Sequence, residues 1–332
     1  MPRRSVNVKQ AAPRAVDVYF VITPGVVLLD LAGPAEAFRV AAAAGANFRL
    51  HFTGARKAST SSLGVALDKI AALPQTIAPH SIVFLLGALR AAWQEGRKDR
   101  EKIAAWLKRI ASPDTRICSV CSGAFLLAEA GLLEGRRCTT HHTLCERLGE
   151  AAPGAIILDD RIFVQDGNIY TSAGITAGID LALFLIGETA GQAVAAQAAR
   201  ELVVYFRRAG DDPQLSPWVM HRNHLHPGVH RAQDAILRDP ARAWKLGELA
   251  GHAHMSVRNL TRLFRRHAGV SLTDYRQSIR IAYARQILSA DTVSVEQVAE
   301  RAGFASVRHF RRVWKQFESI APALLKRAQA ST

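Results

Sequence analysis

The second half of the chain contains an internal repeat, which restricts that half to one kind of architecture. Residues 245–269 have the sequence KLGELAGHAHMSVRNLTRLFRRHAG, and residues 294–318 have the similar sequence SVEQVAERAGFASVRHFRRVWKQFE. Each copy predicts a helix, a short turn and a second helix that begins after a serine, Ser256 in the first copy and Ser306 in the second. Two helices joined by such a turn form a helix-turn-helix. We therefore expect an all-helical domain that carries two helix-turn-helix units.

The second helix of each copy is predicted to be amphipathic. Serine is a favourable N-cap residue, so these helices are expected to start directly after the two serines. The apolar residues then fall on one face: Val257, Leu260, Leu263 and Phe264 in the first copy, and Val307, Phe310 and Val313 in the second. This face is expected to pack into a core and to leave the opposite face exposed.

The exposed face of each second helix is rich in side chains that bind DNA. Arginine pairs with guanine edges and phosphates, asparagine pairs with adenine, and a recognition helix places such groups in the major groove. We predict DNA contacts from Arg258, Asn259, Arg262 and Arg265 in the first helix, and from Arg308, His309, Arg311 and Arg312 in the second. An amphipathic bundle with a solvated basic face is the alternative.

The positive charge of the chain is concentrated in the same half. Residues 211–332 contain 19 Lys and Arg against 10 Asp and Glu, whereas residues 1–210 contain 24 against 18, so the total of +15 divides into +9 and +6. An excess of this size indicates an anionic partner. Nucleic acid is the first candidate and an anionic membrane surface is the second, and charge alone does not distinguish them.

The first half alternates between apolar runs typical of strands and segments typical of helices. Strands are predicted at 15–23, 81–86 and 116–120, and helices lie between them at 32–45 and 100–111. Such alternation is typical of a parallel sheet with helices on both faces. We therefore expect an α/β domain.

Turn-forming residues mark the ends of this domain. Asp166 and Gly167 separate two β-rich runs and predict a hairpin, and two helical runs follow up to Arg208. The next segment, AGDDPQLSPW, is polar and rich in turn formers, which indicates a domain boundary. We divide the chain into a flexible arm, an α/β domain, a linker and a helical domain, at residues 1–14, 15–208, 209–228 and 229–330.

Cysteine content and hydropathy indicate the cellular compartment. Four cysteines are too few for a disulfide scaffold in a chain of 332 residues, so reduced thiols in the cytoplasm fit better. The basic N-terminal residues lack the apolar region of a secretory signal. No apolar run reaches the length of about 18 residues that suggests a membrane span. We expect a cytoplasmic protein that does not associate with membranes.

Cys121 lies between a predicted strand and a predicted helix, in the sequence RICSVCSGAFLLAEAG (116–131). A strand that turns sharply into a helix is the setting of a nucleophile elbow, and the helix N-terminus lowers the pKa of a thiol and offers amides to an anion. A buried structural cysteine is the alternative. The spacing from Cys118 also allows a redox or zinc site. We discount that site because Cys118 is expected inside the strand.

Four histidines within residues 221–230, HRNHLHPGVH, provide a second place where metal binding is conceivable. We favour a polar entry to the helical domain over a metal site there. We therefore expect neither a metal nor a cofactor in this protein.

Residues 229–330 resemble the AraC/XylS type of DNA-binding domain. The segment GFASVRHFRRVWKQF (303–317) is similar to that family's second unit, in which a Gly-Phe pair precedes the recognition helix. The resemblance implies seven helices, with a long helix at 271–289 between the two units. The end departs from the family: ESIAPALLKR (318–327) keeps Pro322 and changes the usual glycine and tyrosine positions.

Residues 15–205 resemble the ThiJ/PfpI branch of the class I glutamine-amidotransferase-like fold. The resemblance is carried, in the family's order, by DLAGPAEAF (30–38), CSGAFLLAEAGLLEGRRCTTHH (121–142) and TSAGITAGIDLALFLI (171–186). It implies a flavodoxin-like parallel sheet sandwiched by helices. It also places the elbow cysteine of the family at Cys121.

The same resemblance assigns roles around the elbow. Asp30 matches the family's acidic residue, which would raise the pKa of the thiol or share a proton with it. Thr140-His141 matches the family's Thr-His step, and His141 is a possible base for Cys121. The amide of Gly87 is placed to bind an oxyanion or carboxylate. After His141 the family often has tryptophan, and this chain has His142. We expect a ligand pocket formed by Asp30, Gly87, Cys121, Ser122 and His141.

Together the two halves resemble the GlxA-type transcriptional regulators. The resemblance implies an N-terminal domain that senses a small, often nitrogen-containing metabolite and supports dimerisation, for which the apolar helices at 177–206 are candidates. We expect a cytoplasmic, nucleoid-associated bacterial activator that forms a homodimer and binds promoter DNA, a small effector and RNA polymerase. The alternative is a thiol-dependent hydrolase or hydratase that uses Cys121, His141 and Asp30.

Overall fold

The computed structural model describes residues 15–204, 208–290, 293–318 and 320–325. The flexible arm predicted at residues 1–14 lies outside the described residues. The chain divides into two compact units, Met1–Gln214 and Leu215–Thr332. Each unit has two hydrophobic cores of its own.

The first unit alternates between strands and helices, as the sequence predicts. Its strands are β1 (Val16–Ile22), β2 (Phe48–Gly54), β3 (Ser59–Thr60), β4 (Ala66–Leu67), β5 (Ala71–Ala72), β6 (Ile82–Leu85), β7 (Arg116–Val120), β8 (Arg137–Cys138), β9 (Ile156–Ile157), β10 (Phe163–Asp166) and β11 (Ile169–Ser172). Its helices are α1 (Leu28–Ala43), α2 (Arg90–Glu95), α3 (Arg97–Ile110), α4 (Ala124–Glu129), α5 (Cys145–Ala151), α6 (Ala177–Ala190) and α7 (Gln192–Glu201).

Seven of the strands form one sheet in the order β10-β11-β7-β6-β1-β2-β5. Neighbouring strands are parallel except β10 and β11, which form the predicted hairpin around Gly167, whose φ is +61°. The three predicted strands are the central β1, β6 and β7. The pairs β3–β4 and β8–β9 form two small additional sheets, which the sequence did not predict.

Helices cover both faces of the large sheet, because successive strand residues point to opposite sides. On one face Phe84 of β6 packs against Phe38 of α1, with ring centroids 5.9 Å apart. On the other face Val83 shares a core with Trp106 of α3 and Leu127 of α4. Full burial of each large apolar side chain stabilises the fold by about 1.5–3 kcal/mol. The predicted two-faced α/β fold is confirmed.

The regular secondary structure of the second unit is all helical within its described residues. It consists of α8 (Pro217–Met220), α9 (Pro227–Arg238), α10 (Leu246–Ala253), α11 (Val257–Ala268), α12 (Leu272–Ala290), α13 (Val295–Arg301) and α14 (Val307–Phe317). The resemblance implied seven helices in the DNA-binding domain, and the structure shows six of them, α9 to α14, among the described residues. A single helical turn at 322–325 stands in the place of the seventh.

The long helix α12 takes part in two separate cores. Tyr275 and Ile279 in its first part pack with Phe264 of α11. Ile281 and residues after it pack with Phe310 of α14. Each helix-turn-helix unit, α10–α11 and α13–α14, is therefore built around its own end of one shared helix.

The segment predicted as a linker, 209–228, is divided between the two units. Gly210 and Asp212 accept hydrogen bonds from the amides of Phe163 and Ile162, at 3.3 and 3.0 Å. The side-chain amide of Gln214 donates to the carbonyl of Thr140, at 2.8 Å. Helix α8 and Trp218 belong to the helical unit. Polar composition indicated a boundary, but it did not reveal these specific contacts.

Candidate functional site: a cysteine elbow and two recognition helices

Cys121 lies at a sharp turn between β7 and α4. Its φ is +55°, and residues Cys121–Gly123 form a short 3₁₀ turn before α4 begins. A non-glycine residue in this left-handed region costs on the order of 1 kcal/mol, which the surrounding packing must offset. A Cβ at Gly174 would lie 2.2 Å from the Cβ of Cys121, and one at Gly123 would lie 2.1 Å from the carbonyl oxygen of Leu85. Glycine at both positions allows the backbone to close around the elbow.

Asp30 brings a buried carboxylate to this turn from α1. Its Oδ1 accepts a hydrogen bond from the amide of Ile175, at 2.6 Å, and its carboxylate also interacts with the amide of Gly87 and the thiol of Cys121. A Cβ at Gly87 would lie 2.4 Å from Oδ2, so only glycine leaves room there. Burial raises the pKa of Asp30 to about 6, against the opposing effects of Ile175, Gly87 and Cys121. The carboxylate therefore changes charge close to neutral pH.

The Cys121 thiol is not activated. It is 8% exposed, and burial together with the nearby Asp30 raises its pKa to about 12, although the Ser122 amide acts in the opposite direction. A buried structural cysteine was the alternative left open by the sequence, and the raised pKa favours it over a nucleophile. Desolvation and the facing carboxylate outweigh the amides at the helix N-terminus. At neutral pH the thiol is protonated.

The predicted base, His141, is engaged elsewhere. Its Nδ1 forms a hydrogen bond with the hydroxyl of Thr143, at 2.8 Å, and its ring lies 4.4 Å from that of His142. Burial, with a smaller effect of His142, lowers the pKa of His141. Among the hydrogen bonds of the described residues, none joins His141 to Cys121. In the described part of the chain, His141 therefore makes no hydrogen bond that would let it act as a base for Cys121.

Ser122 and Thr140 fix the shape of the elbow. The hydroxyl of Ser122 accepts from the amide of Ala88 at 2.9 Å and lies 3.2 Å from the Ala88 carbonyl, so it ties the elbow to the loop that carries Gly87. The hydroxyl of Thr140 donates to the carbonyl of Cys121, at 2.8 Å. The roles of Thr140 and Ile175 were missed at the sequence level, although both lie in motifs quoted for the resemblance.

The elbow is closed in this structure, since Asp30 is fully buried and Cys121 and Ser122 are nearly so. Two open pockets lie elsewhere on the described surface. One, of about 580 Å³, is lined by residues of α9 and α10, and the other, of about 410 Å³, lies beside β2 and β5. The elbow is nevertheless the candidate ligand site, because a buried carboxylate with a raised pKa is typical of functional sites.

Helix α11 has the predicted N-cap and the predicted two faces. The hydroxyl of Ser256 accepts from the amide of Asn259, at 3.3 Å. Leu260 and Phe264 are buried, and Leu263 is half-buried. Val257 is 41% exposed, so its assignment to the buried face is wrong. It occupies the first turn, which projects beyond the core.

Helix α14 repeats this arrangement. The hydroxyl of Ser306 accepts from the amide of His309, at 3.2 Å. Phe310 and Val313 are buried as predicted, and Val307 is half-buried. Trp314, which we did not assign, is also buried, and its indole donates to the carbonyl of Ile320 at 2.8 Å.

The predicted DNA-contacting residues lie on the outer faces of α11 and α14. The six arginines are exposed, and the two others, Asn259 and His309, are half-buried. Arg262 donates to the side-chain oxygen of Asn259 at 2.9 Å, and Arg311 lies 3.5 Å from Glu296. The ring of His309 packs edge-on against Phe304, with centroids 5.6 Å apart. His309 therefore supports the helix as well as facing outward.

The other cysteines and the histidine-rich segment do not assemble a metal site. All four cysteines are buried and free of disulfides. Within the described ranges, no three His, Cys, Asp or Glu side chains are arranged to hold a metal ion. None of the helices in the described part of the chain has both the length and the hydropathy needed to cross a bilayer.

Comparisons with known proteins agree with this geometry. Residues 16–188, just over half of the chain, match the DJ-1/PfpI family, and residues 249–328 match a helix-turn-helix domain. The chain is 30% identical over 285 residues to the HTH-type transcriptional regulator GlxA of Rhizobium meliloti, covering 84% of each protein. It is 33% identical over 221 residues to the HTH-type transcriptional regulator GbdR of Pseudomonas aeruginosa. That match covers 65% of this chain and only 59% of GbdR.

An enzyme and a solved structure are also similar. The chain is 34% identical over 181 residues to the isonitrile hydratase of Pseudomonas putida, which covers 53% of this chain and 73% of the hydratase. A THiJ/PfpI family protein from Pseudomonas syringae has a similar fold, with a TM-score of 0.50 and 22% identity over 76% of this chain and 95% of that one. The chain therefore belongs to the DJ-1/PfpI family and carries, in its second half, an AraC-type helix-turn-helix domain.

Proposed function

We propose that this protein is a transcriptional regulator that binds promoter DNA through α11 and α14. The observation that carries the proposal is the repeated amphipathic design of these helices, each capped by a serine, buried on one face and basic on the other. The higher positive charge density of this half of the chain supports an anionic partner. The names of GlxA and GbdR, both HTH-type transcriptional regulators, support the same function.

We further propose that the elbow of the first unit senses a small nitrogen-containing effector. The buried carboxylate of Asp30 is a hydrogen-bond acceptor and becomes a counter-ion above about pH 6, which suits an ammonium or amide group. Gly87, Cys121 and Ser122 lie together beside this carboxylate, and His141 completes the proposed ligand set. Because the elbow is closed here, binding must open it, and that movement is the source of the signal.

We infer that the regulator acts in the bacterial cytoplasm as a homodimer, in which the apolar helices α6 and α7 are candidates for the contact surface. Bound at a promoter on the nucleoid, it would act as an activator that cooperates with RNA polymerase. The division into an α/β sensor domain at 15–208 and a DNA-binding domain at 229–330 is part of this proposal.

Catalysis by the elbow is the weaker alternative, despite the similarity to isonitrile hydratase. A nucleophilic cysteine needs a lowered pKa and a base within hydrogen-bond reach. Here burial and Asp30 raise the pKa of Cys121, and the hydrogen bond of His141 goes to Thr143. A sensor needs only the shape and hydrogen bonds of the elbow.

The DNA-binding proposal is tested by selecting binding sites from random duplexes with the full-length protein and measuring affinity for the enriched sequence. Arg262→Ala and Arg308→Ala should each weaken binding by about 5- to 150-fold, because each removes a contact worth about 1–3 kcal/mol. Arg39→Ala is the matched control, since Arg39 is an exposed arginine of α1 paired with Glu36. Unchanged affinity in both recognition-helix variants would contradict the proposal.

A further inference from the structure

Four histidines lie together between the start of α9 and the end of α11. The rings of His224 and His230 are 4.3 Å apart, those of His226 and His267 are 4.8 Å apart, and His267 is 5.9 Å from His224. His267 lies in the last turn of α11, and the other three precede or begin α9. We call these four residues the histidine cluster. The proposed DNA contacts and the elbow leave it without a role.

Two rings of the cluster accept backbone hydrogen bonds through Nδ1. Nδ1 of His226 accepts from the amide of Val229, at 3.3 Å, and so caps α9. Nδ1 of His224 accepts from the amide of His226, also at 3.3 Å. An imidazole nitrogen accepts a hydrogen bond only while it carries no proton. Full protonation of either ring therefore removes a bond that orders the start of α9.

The cluster provides little stabilisation for added protons. Nδ1 of His230 is buried without a hydrogen-bond partner. Burial, followed by the neighbouring His230 and His267, lowers the pKa of His224, although a hydrogen bond with Gln233 acts in the opposite direction. Burial, then His226 and then Arg266, lowers the pKa of His267.

The surrounding charged and titratable groups do not compensate. Arg266 of α11 adds positive charge beside His267. Asp234 of α9 is already paired with Arg222, at 2.6 Å, and Arg231 donates to the carbonyl of Ala253 on α10. On the side of α12, His221 is bonded to the Ala268 carbonyl at 3.0 Å, and its ring lies 6.0 Å from that of Tyr275.

We propose that the histidine cluster is a pH-sensitive lock that holds α9 against the recognition helix α11 while its rings are neutral. As the pH falls below about 6.5, the ordinary value for histidine, the unfolded chain takes up protons more readily than the folded cluster does. The stability that the cluster contributes to the first helix-turn-helix unit is therefore full above that pH and decreases as the pH falls below it. Loss of the α9 cap loosens α11, and DNA binding weakens.

The direction of this effect separates the lock from simple electrostatics. Extra positive charge near a DNA-binding surface would by itself strengthen binding to phosphates. The lock predicts the opposite, namely weaker binding in mild acid. This part of the inference rests on the proposed DNA-binding function, whereas the loss of stability does not.

The test compares the full-length wild type with the double variant His226→Asn, His267→Gln at pH 7.5 and pH 5.5. Asparagine keeps an N-cap acceptor at position 226 but does not titrate. Calorimetry gives the Tm of the helical unit, and fluorescence anisotropy gives the affinity for the selected duplex. Between the two pH values the wild-type Tm should fall by on the order of 5 °C more than that of the variant. The affinity of the wild type should fall about tenfold, and that of the variant should stay within about twofold.

Single variants separate the effect of the histidine cluster from other causes of a pH response. His252→Gln, at an exposed α10 histidine outside the cluster, should behave as the wild type does. If the double variant does not fold at pH 7.5, the single variant His267→Gln should show a reduced pH response. The same pH response in wild type and in His267→Gln, or a response abolished by EDTA, would overturn the lock. Failure to bind DNA at either pH contradicts the proposed function, while the Tm comparison still decides the lock.

Discussion

Asp30 and Cys121 are adjacent in space, and only one of them changes its charge near neutral pH. Both are buried, but the amide of Ile175 partly stabilises the carboxylate, and the thiol faces that carboxylate. Burial raises the pKa of Asp30 to about 6, although the Ile175 amide opposes it. Burial and the neighbouring Asp30 raise the pKa of Cys121 to about 12. The elbow therefore combines a carboxylate that gains or loses its charge near pH 6 with a thiol that stays protonated.

We expect Asp30→Asn to stabilise the protein at neutral pH. Since the folded pKa of Asp30 lies above its ordinary value of 3.8, folding becomes less favourable as the pH rises from about 4 to 6, and the penalty stays constant above that. A difference of about two pKa units corresponds to about 3 kcal/mol. Chemical denaturation at pH 4 and pH 7 should show the variant gaining up to this amount on wild type. Asp68→Asn, at an exposed carboxylate, is the control, and an equal gain there would contradict the interpretation.

The residues of the elbow were predictable only in part. Motifs placed Asp30, Gly87, Cys121 and Ser122 at loops that follow strand ends, and those loops do meet. The sequence did not indicate that Ile175, far along the chain, would donate to Asp30, or that His141 would turn to Thr143. Such contacts depend on how separate loops pack, which local patterns do not determine.

At the scale of the element, the N-caps of the recognition helices order the first turn of each helix. Ser256 and Ser306 each satisfy an amide that the helix leaves unpaired at its first turn. The same first turns carry Arg258 and Arg308. A helix that frays there also loses the positions of these side chains.

Ser306→Ala should therefore loosen the first turn of α14. Loss of an N-cap costs about 1 kcal/mol. Hydrogen exchange of the His309 amide should become faster in the full-length protein, and affinity for the selected duplex should fall by a few-fold. Ser306→Thr keeps the capping oxygen and should retain wild-type exchange. If alanine and threonine behave alike, the cap does not order this turn.

Elements with strong periodic patterns were predicted correctly, and marginal ones were not. The buried runs of β1, β6 and β7 and the amphipathic α11 and α14 carry clear signals. Strand β2, with the sequence FRLHFTG, was missed because its alternation is interrupted by charge. Its Arg49 and His51 pair with Asp17 of β1, at 2.9 and 2.8 Å. Charge complementarity between neighbouring strands, rather than hydropathy, was the available signal.

At the scale of the molecule, the two units have separate cores and should unfold separately. Phe38 is fully buried in the α/β unit, and Phe264 is fully buried in the helical unit. Truncation of a buried phenylalanine costs about 3–5 kcal/mol. In calorimetry of the full chain, Phe38→Ala should lower one transition and Phe264→Ala the other. A single transition lowered by both variants would show that the units unfold together.

The shared helix α12 has a consequence for how the protein's binding sites are spaced along a promoter. It has 19 residues and is about 28 Å long at 1.5 Å per residue, and one helix-turn-helix unit packs on each end of it. Adding a single residue to its middle would lengthen it only slightly but would rotate one module against the other by about 100°. The distance and rotation between the two units are therefore nearly fixed. A bound promoter has to match them through the spacing of its two contacted segments and through bending of the DNA between them.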